Sequence, residues 1–218
     1  MIAAMQKTVI RNVVVAASFI NGFGIMSIEL LGGRVLSPYF GSSVYVWGSI
    51  ITVFMLSLSM GYLWGGRLSS RNPNPVLYAM FFFTAALFCL PIIFLAEATM
   101  GSIFLWIEDP RYGSLMAALL LYFIPICLMG MVSPYSIRLL IRSEEHSGRT
   151  AGLLYFVSTL GSALGTLMTS FYFVLWFEID QIMWGLIGLL LFSGSSVLLA
   201  YQLPGQIKPV VAAMQGDN

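Results

Sequence analysis

Four residues could do chemistry in a chain otherwise dominated by apolar side chains: Glu29, Arg34, Tyr39 and Arg111. Glu29 stands near the end of the first long apolar run. A charge deep in a bilayer costs about 2.5–3.5 kcal/mol or more unless it is paired, protonated or in contact with water. Arg34 is the nearest cation in sequence. On a continuous helix the two would sit on different faces, but Gly32-Gly33 between them offers a break. Arg111, in a later connection, is the other candidate partner. Two readings stand, an ion pair that pins the outer loops or a site that binds a ligand or handles a proton.

The same outer depth collects Tyr39, Phe40, Tyr45, Trp47, Trp106, Tyr112 and Trp176. Aromatic residues there serve as interface anchors. With Glu97, Glu108, Asp109, Glu178 and Asp180 nearby, they could also form a cage suited to a cation rather than an anion. A second set is basic: Arg67, Arg71, Arg138, Arg142 and Arg149. Three of these flank the segment from Ile141 to Gly152, the one strongly charged stretch. Contact with anionic lipid and docking of a cytoplasmic partner are its two readings. His146 is the chain's single histidine and makes a poor metal site beside two glutamates.

These residues must be positioned by membrane helices. The chain is 59% hydrophobic and 9% charged, with a mean hydropathy of +0.90, whereas soluble domains are about 25% charged. The apolar residues fall in six runs of about 20, the length that crosses a bilayer core. The expected spans are 13–33, 44–64, 76–96, 115–132, 151–175 and 181–201, flanked by cytoplasmic segments 1–12 and 202–218. The first is read as a retained span rather than a signal peptide, because it is long and carries Asn21 and Glu29. A net charge of +1 argues against nucleic acid as a partner. Cys89 and Cys127 lie inside apolar runs and are expected to pack.

If the N-terminus is cytoplasmic, Lys7, Arg11, Arg67, Arg71, Arg138, Arg142, Arg149 and Lys208 are inside, against only Arg34 and Arg111 outside. The positive-inside rule therefore predicts both termini in the cytoplasm of a bacterial inner-membrane protein. Gly61 and Gly65 in the second span, and Gly161 and Gly165 in the fifth, continue stripes of small residues. Such stripes let helices pack closely in lipid. Ser37-Pro38-Tyr39 and Ser133-Pro134-Tyr135 echo one another, as two inverted three-helix repeats would. Each proline is expected to end or bend its helix.

No phosphate loop, dinucleotide fingerprint, metalloprotease helix or nucleophile elbow is present. The pattern Glu29, Arg34, Ser37–Ser43, Trp47, Gly61-Tyr62 and Gly65-Gly66-Arg67 resembles the membrane domain of bacterial fused spermidine-synthase-like proteins. The later run Ser133-Pro134-Tyr135, Arg138, Gly148-Arg149, Tyr155 and Ser158–Ser162 does so too. The resemblance covers roughly Val13 to Tyr201. It implies a cytoplasmic domain with an aminopropyltransferase or methyltransferase fold that binds an S-adenosylmethionine-type cofactor. The sequence given ends soon after the sixth span and contains none of that domain's cofactor-binding or catalytic residues.

The expectation is an all-α bundle of six spans, resembling half of a major-facilitator-type transporter, with no cofactor or metal in this chain. Its leading function is a non-catalytic membrane subunit. It would anchor a separate spermidine-synthase-like enzyme through the five arginines and pass substrate or product, with Glu29, Arg34 and Tyr39 shaping an outward site. The alternatives are a transporter of a small cationic solute such as a polyamine, dimerising through the glycine stripes, and a structural scaffold.

Overall fold

The computed structural model describes residues 2–71, 73–141 and 147–202, without the side chains of residues 2–7, 71 and 147. Among the described residues every regular element is helical. Helix α1 spans Ile2–Phe40, α2 Val44–Arg71, α3 Pro75–Phe94, α4 Ala96–Trp106 and α5 Pro110–Leu140. Helix α6, Ser147–Met168, continues through a π-helical turn, Thr169–Phe173, and a last turn, α7 (Val174–Trp176). Helix α8 is Ile179–Gln202. Six helices are long and apolar enough to cross a membrane. Their outward faces carry Ile51, Met55, Leu63, Leu87, Leu120, Phe156, Leu160 and Phe192, all exposed. A belt of that size is suited to lipid rather than water, so the chain is a multi-pass membrane protein.

The ends of the helices follow from local chemistry. Gly41 adopts φ +77° and its N–H donates to the Ser37 carbonyl at 2.9 Å, the left-handed cap that stops α1. Asn74 and Asp109 accept from the N–H groups of Val76 and Arg111 at 2.8 and 2.9 Å, ahead of Pro75 and Pro110. An Asx cap followed by proline at the first helical position is a strong start signal. Helix α5 therefore begins before the expected Leu115, and it continues past Pro125 and Pro134 to Leu140. Of the two outcomes expected at the echoed prolines, ending its helix does not occur at Pro134, whereas α1 stops two residues after Pro38. The missing N–H of Pro134 leaves a carbonyl that close neighbours can shield, as membrane helices tolerate.

Helix α4 falls in what the sequence reading left as a connection. Its Ala96, Met100 and Ile103 are buried, one apolar stripe at helical spacing, while Leu105 and Trp106 are 83% and 89% exposed. The helix lies across the end of the bundle that holds the α1–α2 turn. This is the far end; the other, which brings together the starts of α1 and α3 and the ends of α5 and α8, is the terminal end.

Helices α1 and α5 form the centre and run antiparallel. Ser18 meets Ser136, Asn21 meets Met129 and the Phe40 ring lies on Gly113. Helix α2 packs on α5 and α6 on α1, while α3 and α8 pack on each other and each on one of the central pair. Exchanging the first three spans for the last three swaps α2–α5 with α1–α6 and α3–α5 with α1–α8, and maps α1–α5 and α3–α8 onto themselves.

The match extends to single atoms. A Cβ on Gly61 would meet the Cys127 carbonyl, one on Gly65 would meet Met131, and Gly130 faces the Leu58 backbone. On the other side of the molecule a Cβ on Gly161 would meet the Phe19 carbonyl, one on Gly165 would meet Phe23, and Gly22 faces the Ser158 backbone. The spacing of the residues is the same in both crossings, so both stripes work by removing Cβ where two backbones touch. All four glycines of the stripes are thereby used inside the chain. They leave no stripe for a second copy, which overturns the dimer contact expected through them. The echo that suggested repeats is also out of register: the crossings align Ser133-Pro134-Tyr135 with Ile25-Met26-Ser27, not with Ser37-Pro38-Tyr39.

Candidate functional site

The four outer candidates do not converge. Helix α1 runs unbroken through Gly32-Gly33, so Glu29 and Arg34 stay on different faces of it. Glu29 is half-buried and Arg34 exposed, and among the described residues neither forms an ion pair. The two glycines serve packing instead: the Trp47 ring lies on Gly33 and the Tyr122 ring on Gly32. Tyr39 is engaged in an aromatic cluster, 6.4 Å from Phe40 and 6.5 Å from Phe104 between centroids. Arg111 turns to Tyr45, with its guanidinium carbon 4.5 Å from the ring centre and Nη2 donating to the hydroxyl at 3.4 Å. Asp109 caps the helix on which Arg111 sits. The ion-pair reading of Glu29 with Arg34 or Arg111 is therefore corrected: α1 does not break, and Arg111 has an aromatic partner.

The polar groups inside the bundle lie mostly along the seam between α1 and its neighbours. Ser136 is the hub: its hydroxyl donates to the Val132 carbonyl at 2.7 Å and bonds the Tyr78 hydroxyl at 2.8 Å and that of Ser18 at 3.2 Å. Tyr78 stacks on Tyr135, whose hydroxyl accepts from the Asn74 N–H at 2.7 Å. This ties α1, α3 and α5 together near the terminal end. Asn21 donates to the Met129 carbonyl at 3.0 Å. Thr169, in the π-helical turn, donates to Ser27 at 2.9 Å, and Ser27 reaches the Gly165 carbonyl at 3.5 Å. Two buried atoms on this seam, Asn21 Oδ1 and the Tyr122 hydroxyl, have no hydrogen-bond partner, and burial without one costs about 1–3 kcal/mol.

The terminal end has a different character. Arg67, Arg138 and Arg149 are all exposed there. Arg142 and His146 lie outside the described residues, as does the side chain of Arg71. The described carboxylates, Glu29, Glu97, Glu108, Asp109, Glu178 and Asp180, all lie toward the far end. Where α1, α5 and α6 meet, a cavity of about 330 Å³ opens, lined by Arg11, Leu140, Arg149, Thr150, Leu153 and Leu154. Neither arginine has a hydrogen bond or ion pair among the described residues.

Comparison with protein-family models, curated proteins and solved structures finds no match. The resemblance to spermidine-synthase-like membrane domains thus rests on the motif residues quoted above. Several of those have packing roles that account for their type: Gly41 stops α1, Trp47 fills against Gly33, and Gly61, Gly65 and Gly161 are crossing points.

Sequence reasoning missed Arg11 as a site residue, because it counted only toward orientation. Its distance in sequence from Arg149 concealed that α1 and α6 run parallel and in contact. The Asn21, Ser18 and Ser136 seam was also missed, although an asparagine inside an apolar run was a visible signal.

Proposed function

We propose that this chain is the membrane subunit of a polyamine-type or methyl-transferring system, oriented with both termini in the cytoplasm of the bacterial inner membrane. It holds a soluble spermidine-synthase-like enzyme against its terminal end and carries no catalytic group or cofactor itself. The S-adenosylmethionine-type cofactor belongs to the partner. The observation that carries this reading is the terminal end itself: Arg67, Arg138 and Arg149 are exposed there and, among the described residues, have no ion pair and no carboxylate at their end of the bundle. Such a surface complements an acidic protein face and steers its approach. The half-facilitator resemblance and the transferase resemblance add to it.

Isolation of the tagged protein from its native membrane in mild detergent, read by mass spectrometry, tests the reading. A stoichiometric soluble protein with a nucleoside-cofactor fold is expected, and Arg67→Glu with Arg138→Glu should release it. Recovery of the chain alone overturns the proposal.

A second reading, passage of a small cationic solute, is favoured by one observation. The two helix crossings repeat each other in opposite orientation, with the unpartnered Asn21 and Tyr122 atoms on the seam between them. We infer that the halves are inverted repeats, and transporters built on that plan bind solute at the repeat interface. Uptake of a labelled polyamine by proteoliposomes would support this reading; uptake no greater than in empty vesicles would remove it.

A further inference from the structure

We infer that the cavity between α1, α5 and α6 at the terminal end binds the phosphate of an anionic phospholipid. Arg11 and Arg149 hold the headgroup, and Leu140, Leu153 and Leu154 receive the first carbons of its acyl chain.

The chemistry of the lining makes the case. Two arginines from different helices line one cavity of about 330 Å³, and neither has a hydrogen bond or ion pair among the described residues. Guanidinium groups present paired N–H donors that match phosphate oxygens, which a single ammonium cannot do. Helix α6 is described from Ser147 onward, so Arg149 and Thr150 lie in its first described turn.

The other described residues of the lining are Thr150 and three leucines. A site for a free hydrated anion has no use for three leucines beneath it, whereas a lipid brings a phosphate and a hydrocarbon chain joined at that boundary. Depth agrees with this: Arg11 stands just before the apolar run of α1 and Arg149 at the start of that of α6, where lipid headgroups lie.

The far end supplies an internal contrast. In the register of the doubled crossing, the groove where α1, α2 and α5 meet corresponds to this one, with Gly32 and Phe54 in the places of Leu140 and Leu154, and there the Tyr122 ring lies on Gly32 and 5.6 Å from the Phe54 ring. The same geometry is thus closed by a side chain at one end and left open, with two arginines, at the other.

The inference shares Arg149 with the docking reading but is tested on the purified chain alone, whereas the docking variants are at Arg67 and Arg138, so either reading can fail without the other. The test is native mass spectrometry of the detergent-solubilised protein titrated with phosphatidylglycerol or phosphatidylcholine. Retention of phosphatidylglycerol over phosphatidylcholine is expected. Each arginine near an anionic headgroup contributes roughly five-fold in affinity, so Arg11→Gln with Arg149→Gln should weaken binding about 25-fold. The charge-matched control Arg67→Gln with Arg138→Gln should leave it unchanged.

Leu153→Trp, which keeps both charges but fills the floor, should also abolish selective retention, and it serves if the double arginine variant does not fold. Equal loss in the control would mean diffuse charge attraction and overturn the site. Full competition by millimolar inorganic phosphate or glycerol phosphate would make it a site for a soluble phosphate compound and overturn the lipid assignment.

Discussion

The two ends of this bundle are built on the same crossing and finished in opposite ways. At the far end the Tyr122 ring fills against Gly32 and Phe54 beside the crossing, Arg111 lies over Tyr45, and Asp109 caps the helix that carries Arg111. A short extra helix, α4, adds Phe104 against Tyr39 and Phe40. At the terminal end the corresponding groove is a cavity, and Arg11, Arg67, Arg138 and Arg149 have no partners among the described residues. At the far end Arg34 is comparably free among the described residues, and so are Glu29, Glu97, Glu108 and Asp180. The two ends thus differ in the sign of their free charge: among the described residues the terminal end carries arginines alone, the far end mostly carboxylates.

The largest expected effect breaks the shared crossing. Gly61→Ala and Gly161→Ala each place a Cβ against a backbone carbonyl. Each should cost about 3 kcal/mol, at the upper end of overpacking penalties, read as thermal unfolding in detergent. Gly152→Ala, on the same helix as Gly161 but with nothing near its Cβ, should be neutral or gain about 0.5–1 kcal/mol. If only one of the two crossing variants is destabilised, the crossings are not equivalents.

Removing the ring that covers Gly33 comes next. Trp47→Ala should cost about 2 kcal/mol, less than a fully buried tryptophan because the side chain is half exposed. Filling the terminal groove with Leu153→Trp should cost no stability, since space is already there. Ser136→Ala removes the hub shared by Ser18 and Tyr78 and should cost about 1.5 kcal/mol.

The smallest effect separates the arginines. Arg111→Gln should lose about 0.5–1 kcal/mol with its cation–π contact, whereas Arg149→Gln should leave unfolding unchanged. Equal losses would mean that the terminal arginines are structural after all.

Much of the architecture was legible from the sequence, because a run of about 20 apolar residues has few other uses. Gly61, Gly65, Gly161 and Gly165 announced close packing by their spacing, but a single sequence cannot say whether the neighbour is in the same chain. The ends of the spans were read short at Phe40 and Pro110. Hydropathy does not register the αL cap at Gly41 or the Asp109-Pro110 start, though both are written in the residues. Helix α4 was passed over because its apolar stripe covers only Ala96, Met100 and Ile103, too short for a span.

The site was less legible than the fold. Glu29 and Arg34 drew attention by charge and proximity in sequence, yet a continuous helix holds them apart. Arg11 and Arg149, far apart in sequence, are brought to one cavity by the parallel packing of α1 and α6. The tertiary path that joins them is not encoded in any local pattern.

The assignment of the terminal end as the cytoplasmic, interacting face carries the account, and cysteine accessibility tests it directly. Arg34→Cys and Arg138→Cys replace exposed residues at opposite ends, while the native Cys89 and Cys127 are buried. With a membrane-impermeant maleimide on intact cells stripped of their outer membrane, the account predicts labelling at position 34 at once and at position 138 only after permeabilisation. Immediate labelling at position 138 with protection at position 34 would contradict it, and would put the open, arginine-lined end outside the cell.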